Sequence, residues 1–239
     1  MSGHSKWSTI KRKKSLMDKR RGQLFTKLAK MITVAAKEGG GNPKTNFKLK
    51  LAIDNAQRFN LPQDNIIRAI KRGTGELVDG SKMKKEIFEA WGPGGIALMI
   101  ETITDNRNRT LAELKHILAE YEGRLGNVKW MFETQGVIRL PLLKLAEKEK
   151  VELAAIDAGA RDIKEENKSL VVYTDPAQFS AVKKAVESLQ VKIESAELEL
   201  IAKNPIKIKD KAQMEKIDKL MEVLDAHNDV NEIYSNVEN

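Results

Sequence analysis

The chain has 239 residues, of which 41% are hydrophobic and 32% are charged, and it contains no cysteine. This length suits two or three domains, and the lack of cysteine excludes disulfide bonds, thiolate metal sites and a cysteine nucleophile. The net charge of +8 is uneven: residues 1–85 hold 21 Lys and Arg against 6 Asp and Glu, whereas residues 86–239 hold 21 against 28. Folding does not require this segregation, so we expect the first third of the chain to bind a polyanion.

The sequence shows no targeting or membrane-spanning segment. Its first residues lack the apolar core of a signal peptide and lead directly into Lys11-Arg12-Lys13-Lys14. No apolar run approaches the roughly 18 residues that cross a bilayer. We therefore expect a cytoplasmic protein without a membrane partner.

The first 78 residues are predicted to form a basic helical domain. Apolar residues at three- and four-residue spacing predict helices over 16–38, 46–59 and 62–72. Gly39-Gly40-Gly41 follows the first helix and Gly73 follows the third, and glycine commonly ends helices. Three short helices can enclose a small core, so a three-helix domain is predicted over 1–78.

The next segment mixes strands with one helix. Alternating apolar residues and a glycine-rich turn predict strands over 85–91, 95–104 and 128–132. A helix is predicted over 110–122, opened by a capping box in which Thr110 pairs with Glu113. This segment lacks a second helix to cover its sheet.

The remaining elements suggest an inserted domain. Residues 135–204 show the order βαββαβ, which is typical of a ferredoxin-like module. A helix over 213–227 and a strand over 230–237 follow, and they cannot form a core alone. The sequence therefore predicts an α+β multidomain protein, in which 135–204 is inserted into a discontinuous α+β domain formed by 79–134 and 205–239.

No catalytic constellation is evident. His4, His116 and His227 are scattered, without a second histidine or a carboxylate at the spacing of a metal site. His116 and His227 are predicted to be exposed helix or helix-end residues. The glycine-rich turns fit helix stops and hairpins better than a phosphate-binding loop. We expect no enzyme activity, catalytic residue, metal, cofactor or small-molecule substrate.

The strand-to-helix junction at Asp105–Thr110 holds a candidate anion site. Backbone N–H groups at a helix start, together with Arg107 and Arg109, could hold an anion there. The simpler interpretation, which we favour, is that Asp105 and Asn106 turn and cap the chain while the arginines are solvated. This junction and the cleft that three domains would create are the only motivation for a third hypothesis, an enzyme with a site between domains.

Clustered cations are the strongest functional signal. Ten lie between residues 6 and 30 and are opposed only by Asp18: Lys6, Lys11, Arg12, Lys13, Lys14, Lys19, Arg20, Arg21, Lys27 and Lys30. The third predicted helix adds Arg68, Lys71 and Arg72. A bound polyanion relieves their mutual repulsion, and counterion release from phosphate favours binding. These residues predict a nucleic-acid interface, whereas the few, unclustered aromatic residues argue against base stacking on a sheet.

Several sequence blocks, in order, resemble the YebC/PmpR family. They are Gly3-His4-Ser5-Lys6-Trp7, Arg21-Gly22-Gln23-Leu24-Phe25-Thr26-Lys27-Leu28, the glycine triplet, Arg68-Ala69-Ile70-Lys71-Arg72-Gly73, Trp91-Gly92-Pro93-Gly94-Gly95, Asp105-Asn106-Arg107-Asn108-Arg109-Thr110 and Glu232-Ile233-Tyr234. The resemblance implies a helical N-terminal domain followed by two α+β domains. One departure is visible, because the family's longer Gly/Ser-containing loop before Trp130 is reduced here to Asn127-Val128-Lys129.

The resemblance implies two functions that the charge pattern does not separate. Family members are described as cytoplasmic DNA-binding transcriptional regulators. Other relatives, including the mitochondrial translational activator of cytochrome oxidase, act in translation at the ribosome and relieve stalling at proline-rich stretches. We therefore expect a partner that is either duplex DNA or ribosomal RNA. No dimer-forming signal is present, so a monomer is expected, although specific DNA readers usually pair two half-sites.

Overall fold

The structure, a computed structural model, describes residues 5–6, 21–77, 83–166 and 169–238. The chain divides into two compact units. One comprises residues 132–203, and the other comprises the described residues before 132 together with those after 203. The division into three domains with the limits given above stays a prediction.

The elements are numbered in chain order. The described helices are α1 (Arg21–Gly39), α2 (Phe47–Arg58), α3 (Gln63–Gly73), α4 (Arg107–Glu120), α5 (Leu145–Asp157), α6 (Phe179–Ser188) and α7 (Lys211–Ala226). The described strands are β1 (Ser5–Lys6), β2 (Lys84–Trp91), β3 (Ala97–Thr104), β4 (Arg124–Leu125), β5 (Phe132–Pro141), β6 (Ala160–Glu166), β7 (Ser169–Thr174), β8 (Ser195–Ala202) and β9 (Val230–Ser235). Short 3-10 turns lie at Pro93–Gly95 and Lys129–Met131.

The N-terminal helices α1, α2 and α3 pack around one apolar core, as the periodicity predicts. Its largest fully buried members are Ile32, Leu49 and Ile66. The end of α3 lies directly against α1: a Cβ at Gly73 would be 2.3 Å from the carbonyl oxygen of Thr33. A residue without a side chain is therefore needed at the point where these two helices meet.

The discontinuous α+β part is built on a five-stranded antiparallel sheet. Its strand order is β1-β9-β3-β2-β4, so β9 lies beside β3 although the two are far apart in sequence. Helices α4 and α7 contribute Leu114, Leu118, Leu220 and Leu224 to the core on one face of this sheet. The segment after residue 203 is therefore an integral part of the fold that begins at β2, as expected.

The unit of residues 132–203 has the ferredoxin-like fold. Its elements follow the order βαββαβ, and its antiparallel sheet has the strand order β6-β7-β5-β8. The two hairpin strands β6 and β7 are followed by α6 and then by the edge strand β8. The predicted fold class is confirmed.

Two local predictions are wrong. Residues 128–132 do not form a strand, because Lys129–Met131 is a 3-10 turn and β5 begins only at Phe132. The carboxylate of Glu89 accepts the backbone N–H groups of both Val128 and Lys129 at 2.8 Å, which removes them from ladder pairing. In the described residues, the edge of β2 pairs instead with β4.

The N-terminus of α4 also differs from the prediction. The helix starts at Arg107, and the side chain of Asn106 caps it by accepting the N–H of Arg109. Thr110, predicted as the cap, is a fully buried helical residue whose hydroxyl donates to Asp229 at 2.8 Å. A tertiary contact thus replaces the local capping box.

Among the described residues, no helix combines the length and apolar character needed to cross a membrane.

Candidate nucleic-acid interface

Most of the predicted N-terminal cations lie outside the described residues. These are Lys11, Arg12, Lys13, Lys14, Lys19 and Arg20. Lys6 is described as part of β1 and Arg21 as the first residue of α1, but their side chains also lie outside the description. For these residues, the role in nucleic-acid binding stays a prediction from the sequence.

Helix α3 carries three of the predicted cations. Arg68 and Lys71 are exposed and Arg72 is half-buried. Among the residues that the structure describes, none provides a carboxylate that pairs with them. Lys71 and Arg72 also lie in the last turn of α3, where the helix dipole favours cations. Three guanidinium or ammonium groups on one short helix, anchored by Gly73, therefore remain available to an external anion.

Two further exposed lysines belong to the same helical part and were not singled out from the sequence. Lys44 precedes α2 and Lys50 lies on it, and within the described chain neither side chain contacts a carboxylate. Lys48, by contrast, pairs with Glu38 at 2.8 Å. The excess of cations in residues 1–85 contained this signal, but sequence alone could not separate paired lysines from unpaired ones.

Lys27 and Lys30, on α1, have a different role from the one predicted. The ammonium group of Lys27 donates to the backbone carbonyl of Asp225 at 2.6 Å and to its carboxylate at 3.1 Å. Its side chain is only 9% exposed. These contacts hold α1 to the C-terminal end of α7, so Lys27 is withdrawn from the interface.

Lys30 is likewise occupied within the protein. Its ammonium group donates to the carboxylate of Asp229 at 2.9 Å and to the carbonyl of Asn228 at 2.9 Å. A third, longer contact of 3.3 Å reaches the carbonyl of Ile103. With three acceptors around it, this lysine has no free donor for a phosphate and is also withdrawn.

Asp229 is the centre of a buried polar cluster. One carboxylate oxygen accepts from Lys30, and the other accepts from Arg109, Thr110 and Thr104. Burial alone would raise the pKa of Asp229, but the hydrogen bonds from Lys30, Arg109 and Thr110 outweigh it and lower the pKa well below its usual value. Asp229 is therefore an ionised structural anchor that joins α1, β3 and α4.

The candidate anion site at Arg107 and Arg109 is not supported by these contacts. Arg109 donates to Asp229 at 2.8 Å and to Asp105 at 3.0 Å, and its hydrogen bond to Asp229 raises the pKa of the guanidinium. Arg107 lies over the ring of Phe88 and 3.8 Å from the carboxylate of Glu86. Carboxylates thus already surround the junction, and it is not carried forward as an anion site.

His227 lies at a helix end, as predicted, but its side chain is not exposed. It is the C-cap residue of α7, its side chain is 13% exposed, and its Nε2 lies 2.9 Å from the carboxylate of Glu113 on α4. Its Nδ1 accepts the backbone N–H of Asp229. In the neutral ring the proton therefore resides on Nε2 and is donated to Glu113. Sequence separation hid this contact, because Glu113 and His227 are 114 residues apart.

A cleft of about 640 Å³ lies beside this cluster, lined by Arg109, Glu113, His116, Ile117, Ala226, His227, Asn228 and Asp229. Ligand atoms of Glu113, His227 and Asp229 lie within 4.8 Å of one another, close enough for one metal ion to reach all three. Metal at Nε2 of His227 would require the proton on Nδ1, which already accepts an N–H, and both oxygens of Asp229 already accept hydrogen bonds. These residues fit an internal hydrogen-bond network better than a metal centre.

Comparison with known proteins places the chain in its family. A family model described as "TACO1/YebC protein N-terminal domain" matches residues 5–76, and one described as "TACO1/YebC second and third domain" matches residues 83–237. A crystal structure of a conserved hypothetical protein from Aquifex aeolicus has a TM-score of 0.86 and 39% sequence identity, covering 97% of this chain and 96% of that one.

Two bacterial relatives are similar over almost their whole length. A "Probable transcriptional regulatory protein" from Halothermothrix orenii is 48% identical over 240 residues, covering 99% of this chain and 94% of the relative. A protein of the same description from Caldanaerobacter subterraneus is 47% identical over 241 residues, covering 100% of this chain and 98% of the relative. Full-length similarity to these proteins and both family models agree with the motifs in the sequence, and the chain belongs to the TACO1/YebC family.

Proposed function

We propose that the protein is a nucleic-acid-binding regulator of gene expression that contacts phosphates through its basic helical domain. One observation carries the proposal. Arg68, Lys71 and Arg72 are presented on α3 without a carboxylate partner in the described chain, whereas Lys27 and Lys30 on α1 are paired. Cations left without internal partners on a rigid helix fit a phosphate backbone.

The relatives' description as transcriptional regulators supports duplex DNA as the target. Phosphate contacts are independent of sequence, however, and position a protein on either DNA or RNA. The second candidate is therefore a ribosome-associated translation factor, in which the same cations bind ribosomal RNA. Both candidates require the α3 cations, so a variant of α3 tests their common basis and a competition experiment separates them.

The common basis is tested by the triple variant Arg68→Gln, Lys71→Gln, Arg72→Gln. A matched control, Lys150→Gln, Lys184→Gln, Lys192→Gln, removes equal charge from exposed lysines of the 132–203 unit. Each lost phosphate contact should make the log–log salt dependence of binding less steep by about 0.9 on duplex DNA. We expect the slope of the α3 variant to be less steep by about two to three times this amount, and the slope of the control to be unchanged. Equal effects of the two variants would contradict the proposed surface.

The target is identified by competition among promoter duplex, random duplex and purified ribosomes at several salt concentrations. Preference for the promoter duplex over both competitors would assign the protein to transcription. Partition to ribosomes, with the two duplexes bound alike, would assign it to translation. Binding to none of the three would overturn the proposed function.

A further inference from the structure

Trp130 is the most exposed aromatic side chain in the described part of the chain, with 64% of its surface accessible. Tryptophan has the largest apolar side chain, and leaving it in water forgoes a large favourable burial. The two residues flanking the turn that carries it are buried: Val128 is fully buried, and Phe132 is 5% exposed. The indole is therefore exposed on a turn whose two flanking residues are buried.

The turn that displays Trp130 is held rigidly on both sides. The carboxylate of Glu89 accepts the N–H groups of Val128 and Lys129 at 2.8 Å each. The N–H of Met131 donates to the carbonyl of Val128 at 2.9 Å, which closes the 3-10 turn. These bonds fix the backbone on either side of Trp130, so its exposure is a consequence of ordered structure.

A backbone hydrogen bond from Gly126, which precedes the turn, joins the same segment to the edge of β2. The N–H of Gly126 donates to the carbonyl of Glu89 at 3.0 Å. A Cβ at Gly126 would lie 2.6 Å from Cδ1 of Trp91, so glycine allows the segment to pass directly over that indole. Trp91 is thereby half-buried, and it offers an internal comparison for the exposed Trp130.

The charges around Trp130 indicate its ligand. Residues 124–131 contain two cations, Arg124 and Lys129, both exposed, and no acidic residue. The carboxylate of Glu89 also lies against this turn, where it accepts the backbone N–H groups of Val128 and Lys129. A protein-binding hot spot is expected to be surrounded by further apolar residues that exclude water. The exposed sequence neighbours here, Asn127 and Lys129, are polar. An aromatic face flanked by cations is instead the arrangement by which proteins bind single-stranded nucleic acid.

We propose that Trp130 stacks on an unpaired nucleobase while Lys129 and Arg124 contact the neighbouring phosphates. The inference rests on the proposed function and extends it, because it names unpaired nucleotides as ligand and places a second contact outside the helical domain. A paired base inside a duplex does not present its face to a side chain, so this contact distinguishes single strands from duplexes. It involves one aromatic residue on a turn, which is why an argument from aromatic clusters in the sequence did not find it.

The first test uses the fluorescence of Trp130. The chain has three tryptophans, and the double variant Trp7→Phe, Trp91→Phe leaves Trp130 as the only one. The probes are a 12-nucleotide RNA of mixed sequence, the DNA of the same sequence, and each strand annealed to its complement. We expect single strands to quench the emission of Trp130 and duplexes to leave it unchanged. The RNA and DNA arms show which sugar the site prefers.

The second test measures affinity in the otherwise unaltered chain. Loss of one base–aromatic stack should weaken single-strand binding about five- to tenfold in Trp130→Leu, while Trp130→Phe retains most of the affinity. The salt dependence should stay unchanged, because no charge is removed. Phe59→Leu is the matched control, since Phe59 is an aromatic residue of the helical domain that is 38% exposed. It should bind like the unaltered protein.

The outcomes separate this inference from the proposed function. If single strands bind without quenching Trp130, or if Trp130→Leu binds them normally, the inference is overturned while the proposed function stands. Equal quenching by duplexes would also overturn it. A less steep salt dependence of the α3 triple variant for both strand forms, with quenching of Trp130 by the single strands that still bind, supports both proposals. Absence of binding to any of these probes overturns the inference, whereas the proposed function is decided by the competition with promoter duplex, random duplex and ribosomes.

Discussion

Two pairs of cations with identical spacing differ in whether they form ion pairs within this protein. Lys27 and Lys30 on α1 are three residues apart, as are Arg68 and Lys71 on α3. The first pair is paired with Asp225 and Asp229, and the second is exposed and lacks a carboxylate partner in the described chain. Local sequence therefore determines that a helix is basic, but the tertiary fold determines whether its charges stabilise the protein or remain available to a ligand.

The largest effect expected from this difference is on stability at Asp229. The change Asp229→Asn leaves Lys30 and Arg109 without their shared anion, and breaking such a buried pair costs on the order of 3 kcal/mol. Urea unfolding would measure the loss. Asp105→Asn is the matched control, because it removes the exposed partner of the same Arg109 and should cost under about 1 kcal/mol. Similar losses in the two variants would contradict the anchoring role of Asp229.

A smaller loss is expected where α3 meets α1. Gly73→Ala places a Cβ 2.3 Å from the carbonyl of Thr33, and relieving this overlap should cost about 2 kcal/mol. Gly22→Ala, in α1, meets no atom within 4 Å and should be neutral or stabilising by up to about 1 kcal/mol. Thermal and urea unfolding of both variants test this contrast. A fully stable Gly73→Ala would show that α3 is not held closely against α1.

The two cation pairs are separated directly by single substitutions. Lys30→Gln should lower the free energy of unfolding by about 1.5 kcal/mol, because hydrogen bonds to a charged group are lost. Lys71→Gln should change it by no more than about 0.5 kcal/mol, as is usual at the surface, while weakening nucleic-acid binding. Unfolding and binding measured on the same two variants give the comparison. A Lys30→Gln variant that loses nucleic-acid binding and keeps its stability would contradict the structural role of Lys30.

The smallest expected effect is the change in the stabilisation by Asp229 at low pH. Because the pKa of Asp229 is lowered on folding, its stabilisation is complete well above the unfolded pKa of about 3.9 and is lost as the pH falls below that value. The stability difference between the unaltered protein and Asp229→Asn should shrink by about 1 kcal/mol between pH 6 and pH 3. Urea unfolding across this range measures it. A difference independent of pH would show that Asp229 is not held ionised.

The fold could be predicted from the sequence wherever local patterns and tertiary structure agree. The three N-terminal helices and the ferredoxin-like unit follow from periodicity and element order. The strand expected over 128–132 failed because Glu89, 39 residues away, binds the N–H of Val128. The cap expected at Thr110 failed for the same kind of reason, since its hydroxyl bonds to Asp229, 119 residues away.

The basic character of the candidate interface could be predicted from the sequence, but only some of the residues that form it could. Clustered positive charge pointed to the helical domain, and α3 retains that role in the proposed function. The exclusion of Lys27 could not be foreseen, because its acceptor Asp225 is 198 residues away. The exposure of Trp130 was hidden as well, because an apolar residue between Val128 and Phe132 fits a strand pattern equally well.

The position of β9 has a consequence for how the chain is made. Its residues pair with β3, as Glu232 does with Glu101, so this part of the sheet closes only after about 130 further residues have been synthesised. The acceptors of Lys27 and Lys30 arrive in the same late segment, 198 and 199 residues downstream. During translation the nascent helical domain therefore carries two more unneutralised cations than the finished protein does. Until Asp225 and Asp229 have been synthesised, the ammonium groups of Lys27 and Lys30 lack the carboxylates that they bind in the folded protein.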